Sequence, residues 1–96
     1  MIKVGLKWEA GAQYIGRGSA LGNPFVMKHE GERDAVCEKY EVWFKQKIAE
    51  NDVRVLNELR RLFVLHRKQG SLTLGCFCAP KRCHGETIKR FLDQFE

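Results

Sequence analysis

Residues 71–95, SLTLGCFCAPKRCHGETIKRFLDQF, change structural period within a few positions. The first part alternates, with Leu72 and Leu74 on one side, which predicts a strand with a buried face. At the far end Ile88, Phe91, Leu92 and Phe95 recur at three- and four-residue spacing, which predicts an amphipathic helix. Between them stand Cys76, Cys78, Cys83 and His84. A strand that runs through a short polar segment into a helix is the building unit of an α/β layer, and this stretch therefore decides the fold class.

Reading outward, residues 2–6, IKVGL, place Ile2, Val4 and Leu6 on one side of a second short strand. Glycines and one proline then interrupt every period from Trp8 to Gly31, apart from a short strand at QYI. Trp8, Tyr14 and Phe25 argue that this long segment is an ordered, functional loop. From Arg33 to Ala49, Val36, Tyr40, Trp43, Phe44 and Ile48 form one apolar helical face. Asn51 or Asp52 can cap a second helix, with Val55, Leu56, Leu59, Leu62, Phe63 and His66 as its stripe and Gly70 as its stop. The order β, loop with a short β, α, α, β, α predicts a single small α/β domain over residues 1–96. Its sheet should be short and partly parallel, with about three helices in Rossmann-like layering. In such sheets ligands sit beyond the carboxyl ends of the strands, where the cysteine segment falls.

The composition, 44% hydrophobic and 30% charged, is that of a folded domain. No apolar run is long enough to span a bilayer, and the amino-terminal residues lack a secretory leader, so a cytoplasmic protein without membrane contact is expected. There the cysteines stay reduced, which directs attention to metal, catalysis or packing before disulfides. The net charge of +5 favours phosphate-bearing partners. Arg60, Arg61, Arg67 and Lys68, with Lys81, Arg82, Lys89 and Arg90, form either a basic rim around the site or solvated helix faces.

Cys83 stands directly before the last helix, with Glu86 three residues on, like a capping box with sulfur in place of a hydroxyl. The helix dipole, Lys81 and Arg82 would favour its thiolate, making Cys83 the candidate nucleophile and His84 its assistant. Alternatively Cys76, Cys78, Cys83 and His84 make a Cys₃His set suited to zinc, although C-x-C followed by an adjacent Cys-His pair is not the usual spacing. Cys37 and His66 read as packing residues.

In YIGRGSALGNPF the glycines allow backbone N–H groups to approach an anion, and Arg17 offers a forked contact to phosphate or carboxylate. Tyr14, Gly16, Arg17, Ser19, Gly22, Asn23 and Lys81 are accordingly the candidate ligand-binding residues. The loop matches neither the Walker nor the dinucleotide fingerprint. It serves equally as a structural cover, with Tyr14 and Phe25 as plugs.

The YIGRGSALGNPF loop, the GER that opens a helix with KYEVWF, and LTLGCFCAPKRCHGETI together resemble domain-of-unknown-function family 4326 of bacteria and phages. The resemblance covers nearly the whole chain, with Phe77 where tryptophan is usual, a change expected to affect packing. It implies that Arg17, Gly22, Asn23, Pro24, Cys76, Cys78, Cys83 and His84 belong to one constellation, and it supplies no reaction. Two functions compete. One is a site for a small phosphate-bearing, nucleotide-like ligand, with or without thiol chemistry at Cys83 and His84. The other is a non-catalytic, zinc-stabilised module that binds nucleic acid or a host protein.

Overall fold

The computed structural model describes residues 1–78 and 81–95; Ala79 and Pro80 of the cysteine motif lie outside the described residues. Strands β1 (Ile2–Leu6), β2 (Gln13–Tyr14) and β3 (Leu72–Cys76) form a three-stranded sheet in the order β1-β3-β2. Both pairings are parallel, so the sheet is more uniformly parallel than the sequence pattern required. Helix α1 (Arg33–Ala49), entered through a 3₁₀ turn at Glu30–Glu32, and helix α2 (Val53–Gln69) carry the chain back to β3. Helix α3 (Gly85–Asp93) follows the cysteine segment.

The register sets the core. Ile2 lies opposite Leu72, Val4 opposite Leu74 and Leu6 opposite Cys76, so the alternating apolar residues of β1 and β3 share one face. Against them pack Tyr40 and Phe44 of α1, Val55, Leu59 and Leu62 of α2, and Ile88 and Leu92 of α3, in a single cluster. Each such large side chain contributes about 1.5–3 kcal/mol through burial. Leu56 and Phe63 of the expected α2 stripe lie at its margin, and Phe95 is exposed rather than on the buried face of α3.

The termini of the helices follow local chemistry. Asp52, not Asn51, caps α2: its Oδ1 accepts the Val55 N–H at 3.0 Å. The same helix stops at Gly70, whose N–H donates to the His66 carbonyl. At the other end of the sheet, α3 begins on Gly85, where a Cβ would lie 2.9 Å from Ile15 Cδ1 and 3.0 Å from Val4 Cγ1. Only a glycine lets the helix start approach the sheet this closely, which brings Cys83 and His84 over the strand ends. No helix among the described residues is long and apolar enough to cross a membrane.

Candidate ligand cavity at the strand ends

The long loop is fixed at its root. The Ile15 N–H donates to the Gly75 carbonyl at 3.0 Å, which extends the β2–β3 pairing by one bond. From there two successive turns form, Ser19 N–H to Gly16 O and Gly22 N–H to Ser19 O, and Ser19 Oγ donates to Gly16 O at 2.6 Å. A Cβ on Gly22 would come 2.5 Å from the Gly16 carbonyl oxygen, so this position requires glycine. Buried Leu21 and the Tyr40 hydroxyl, which donates to the Leu21 carbonyl at 2.8 Å, tie the loop to α1. Asn23 Oδ1 accepts the Phe25 N–H across Pro24 at 2.9 Å, an Asx turn that completes the loop.

A cavity of about 300 Å³ opens where these turns, the ends of β2 and β3, and the first turns of α1 and α3 converge. Tyr14, Gly16, Arg17 and Asn23 line it from the loop. Cys76 and Cys78 face it from the end of β3, and Cys83 and His84 from the start of α3. Ser19, Gly22 and Lys81 are not on its wall; the first two shape the loop, and Lys81 pairs with Glu30 at 3.3 Å. Phe25, Met27, Arg33, Val36, Cys37 and Phe77 also line it and were not read as site residues from sequence. Cys37, which its place on the helix assigns to packing rather than to a ligand set, is buried and also sits on the wall, four residues into α1. The one signal that pointed there was the GER opening of that helix, which places Arg33 at its first position.

The two arginines of the cavity differ. Arg17 has no carboxylate partner among the described residues. Arg33 is held by Glu30 through Nε at 2.9 Å and a terminal nitrogen at 2.8 Å, while its other terminal nitrogen donates to the Arg82 carbonyl at 2.8 Å. Hydrogen bonds from Arg33, then from Lys81, push the Glu30 carboxyl down to about 2. Arg33 thereby staples the start of α1 to the cysteine segment.

His84 Nε2 lies 2.6 Å from the Ile15 carbonyl oxygen. A carbonyl can only accept, so Nε2 carries the proton and Nδ1 keeps a lone pair. Burial, opposed in part by the Ile15 bond and reinforced by the charge of Arg17, lowers the pKa of this imidazole from its ordinary value. The ring is thus a neutral acceptor at physiological pH, set edge-on to Tyr40 with centroids 4.9 Å apart.

The sulfurs are arranged differently from the sequence expectation. Cys83 Sγ lies 3.2 Å from Cys76 Sγ and accepts the Gly85 N–H at 3.3 Å, so it does engage the helix start. Its neighbour outweighs the helix: the hydrogen bond with Cys76, then burial, push the Cys83 thiol well above its usual range. The expected thiolate is therefore disfavoured. Cys78 is half-buried and sits beside the Arg33 guanidinium. Among the described residues no group of three or more His, Cys, Asp or Glu side chains has the geometry of a metal cluster.

Most of the expected basic rim is neutralised. Arg61 pairs with Glu58, Arg82 with Asp34, Lys89 with Asp93 and Arg90 with Glu41.

With this geometry in view, the chain belongs to the family described as domain of unknown function DUF4326, whose model matches residues 3–94. The chain is 32% identical over 82 residues to a protein of Enterobacteria phage T4 described as an uncharacterized 12.4 kDa protein in the nrdA-td intergenic region. That alignment covers 83% of this chain and 66% of the relative, so the chain spans just under two thirds of the phage protein's length. No solved structure matches.

Proposed function

We propose that this chain binds a small anionic, nucleotide-like ligand in the cavity at the carboxyl ends of its strands. The observation that carries the reading is Arg17: a guanidinium on the cavity wall, without a carboxylate partner among the described residues, whose charge reaches the His84 imidazole of the same cavity. A free arginine can give a phosphate two parallel hydrogen bonds. Asn23, whose Oδ1 is used in the Asx turn, keeps its amide N–H groups as donors, and His84 Nδ1 offers an acceptor. A sugar phosphate presents the complementary set of phosphate oxygens, hydroxyl acceptors and hydroxyl donors. The starts of α1 and α3 add the positive ends of two helix dipoles to the same cavity.

Thiol chemistry by Cys83 with His84 would need the ligand to displace the Cys76 contact first. The test is calorimetric titration with ribose 5-phosphate and inorganic pyrophosphate. Arg17→Ala is expected to weaken binding about tenfold or more, in line with a charge-assisted pair. Absence of binding by any phosphate compound at millimolar concentration would reject the proposal.

The second reading, zinc on Cys76, Cys78, Cys83 and His84 in a module that binds nucleic acid or a host protein, draws on the 3.2 Å approach of the Cys76 and Cys83 sulfurs. Elemental analysis of protein purified without chelator separates the two. About one zinc per chain supports the second reading, and Cys83 would then be a ligand rather than a thiol.

A further inference from the structure

Three large aromatic side chains stay outside the core at the cavity mouth. Trp8 is 67% exposed, Phe77 60% and Tyr14 37%. Each belongs to the carboxyl end of a different strand: Trp8 two residues beyond β1, Tyr14 at the end of β2, Phe77 directly after β3. Parallel pairing aligns Leu6 with Cys76 and Tyr14 with Gly75, and so gathers the three rings. Phe77 stands 6.2 Å from Trp8 and 6.4 Å from Tyr14 between ring centroids, tilted by 58° and 77°. Lys7 Nζ lies 4.7 Å from the Phe77 centroid and 5.2 Å from that of Tyr14, and it has no carboxylate partner among the described residues.

Resting on the anionic-ligand reading above, we infer that Trp8, Tyr14 and Phe77 seat the nucleobase of the ligand, which straddles the mouth with its phosphate inside. Two of the rings, Tyr14 and Phe77, line the same cavity as Arg17 and His84, so seat and cavity are continuous. The cavity volume of about 300 Å³ is at the lower end of the range of about 300–1,000 Å³ typical of small-molecule sites. A ligand larger than a sugar phosphate must therefore project past the mouth, onto the rings. Open aromatic faces take any base, because every base presents a π-face. Flanking cations favour a phosphate-bearing occupant over a second copy of this chain, which itself carries a net charge of +5.

The test compares ribose 5-phosphate with AMP, GMP, CMP and UMP by calorimetry, on the parent chain and on Trp8→Ala and Phe77→Ala. Both substitutions are at exposed positions, and circular dichroism checks that the variants fold. At least one nucleotide is expected to bind tenfold or more tighter than ribose 5-phosphate. Each variant should lose about 5- to 150-fold of that nucleotide affinity, the factor carried by one base–aromatic stack, and Trp8→Ala, whose side chain is not on the cavity wall, should keep its ribose 5-phosphate affinity within about twofold. Equal binding of all five compounds, unchanged by both variants, would overturn the base seat and leave the anionic cavity standing. If no compound binds, the anionic-ligand reading fails and the seat with it. Sedimentation that reveals a dimer lost in Trp8→Ala would reassign the rings to self-association and likewise overturn the proposal.

Discussion

The two walls of the cavity carry similar residue types in opposite states. On the loop wall, Arg17, the Asn23 amide and, across from them, His84 Nδ1 present polar groups that no described residue engages. On the sulfur wall, the groups are engaged with one another or with nearby residues: Cys76 meets Cys83, Cys83 takes the Gly85 N–H, and Arg33 is consumed by Glu30 and the Arg82 carbonyl. Residue type alone would rank Arg17 with Arg33. Availability separates them, because a guanidinium already paired with a carboxylate has little left to offer an anion. The sulfur wall should therefore report in stability and the loop wall in binding.

The largest effect should come from the residue that brings the walls together. Gly85→Val would drive a side chain into Ile15 and Val4, and overpacking of this kind costs about 1–3 kcal/mol. Urea denaturation should show that loss, accompanied by loss of phosphate binding as His84 is displaced. Cys83→Ala should follow with about 1 kcal/mol, since it removes a buried sulfur that fills the junction of β3 and α3. A Cys83→Ala variant as stable as the parent would break the comparison by showing that the sulfur wall does not support the fold.

This division was only partly legible in the sequence. The elements were, because their signals are local: α1 spans Arg33–Ala49 as its apolar spacing indicates, and Asp52 and Gly70 bound α2 through their own backbone chemistry. The place of the cysteine segment at the strand ends followed from the rule for α/β sheets, and its grouping with the loop was implied by the family resemblance. What was not legible depends on contacts between distant residues. The Cys₃His alternative brought Cys76 and Cys83 together, but nothing near Cys83 announces that their sulfurs, 3.2 Å apart, reverse the tendency that the helix start gives its thiol. Likewise, much of the basic rim is paired with acids such as Asp34, 48 positions from Arg82. Phe77, expected to act in packing, and Trp8, read only as a sign of an ordered loop, are exposed because parallel pairing carries both to the open end of the sheet.

A pH titration of stability sharpens the contrast between the walls. The buried thiol of Cys83 and hydroxyl of Tyr40 both hold their protons above their ordinary ranges, Cys83 chiefly through Cys76 and Tyr40 chiefly through burial. Above a pH of about 8.5 the unfolded chain loses the cysteine proton while the folded chain keeps it, so the folded state binds more protons and stability falls as pH rises. The fall should steepen past pH of about 10, where the unfolded tyrosine ionises. Denaturant midpoints measured between pH 7 and 11 are expected to decline, with the first part of the decline reduced in Cys83→Ala. A midpoint that holds constant through pH 10 would mean that Cys83 is ionised in the fold, and the sulfur wall would then be as available for chemistry as the other.

The smallest effect on stability should come from Arg17→Ala, and it is the most discriminating. Arg17 is exposed and makes no ion pair among the described residues, so its loss should leave the denaturant midpoint within about 0.5 kcal/mol of the parent. Its charge nonetheless reaches His84. The imidazole is held below its ordinary pKa first by burial and then by Arg17, against the Ile15 hydrogen bond. Removing the guanidinium takes away one of the two depressing influences, so the His84 pKa should rise while remaining below about 6.5, because burial persists. The acid limb of stability should move with it: a depressed histidine contributes fully above about pH 6.5 and loses that contribution as pH falls toward its folded pKa, and the loss shrinks as the folded pKa rises. NMR titration of the ring nitrogens reads the shift directly. A His84 pKa unchanged by Arg17→Ala would place the guanidinium away from the imidazole in solution, and the loop wall would lose the convergence of charge and acceptor on which phosphate binding depends.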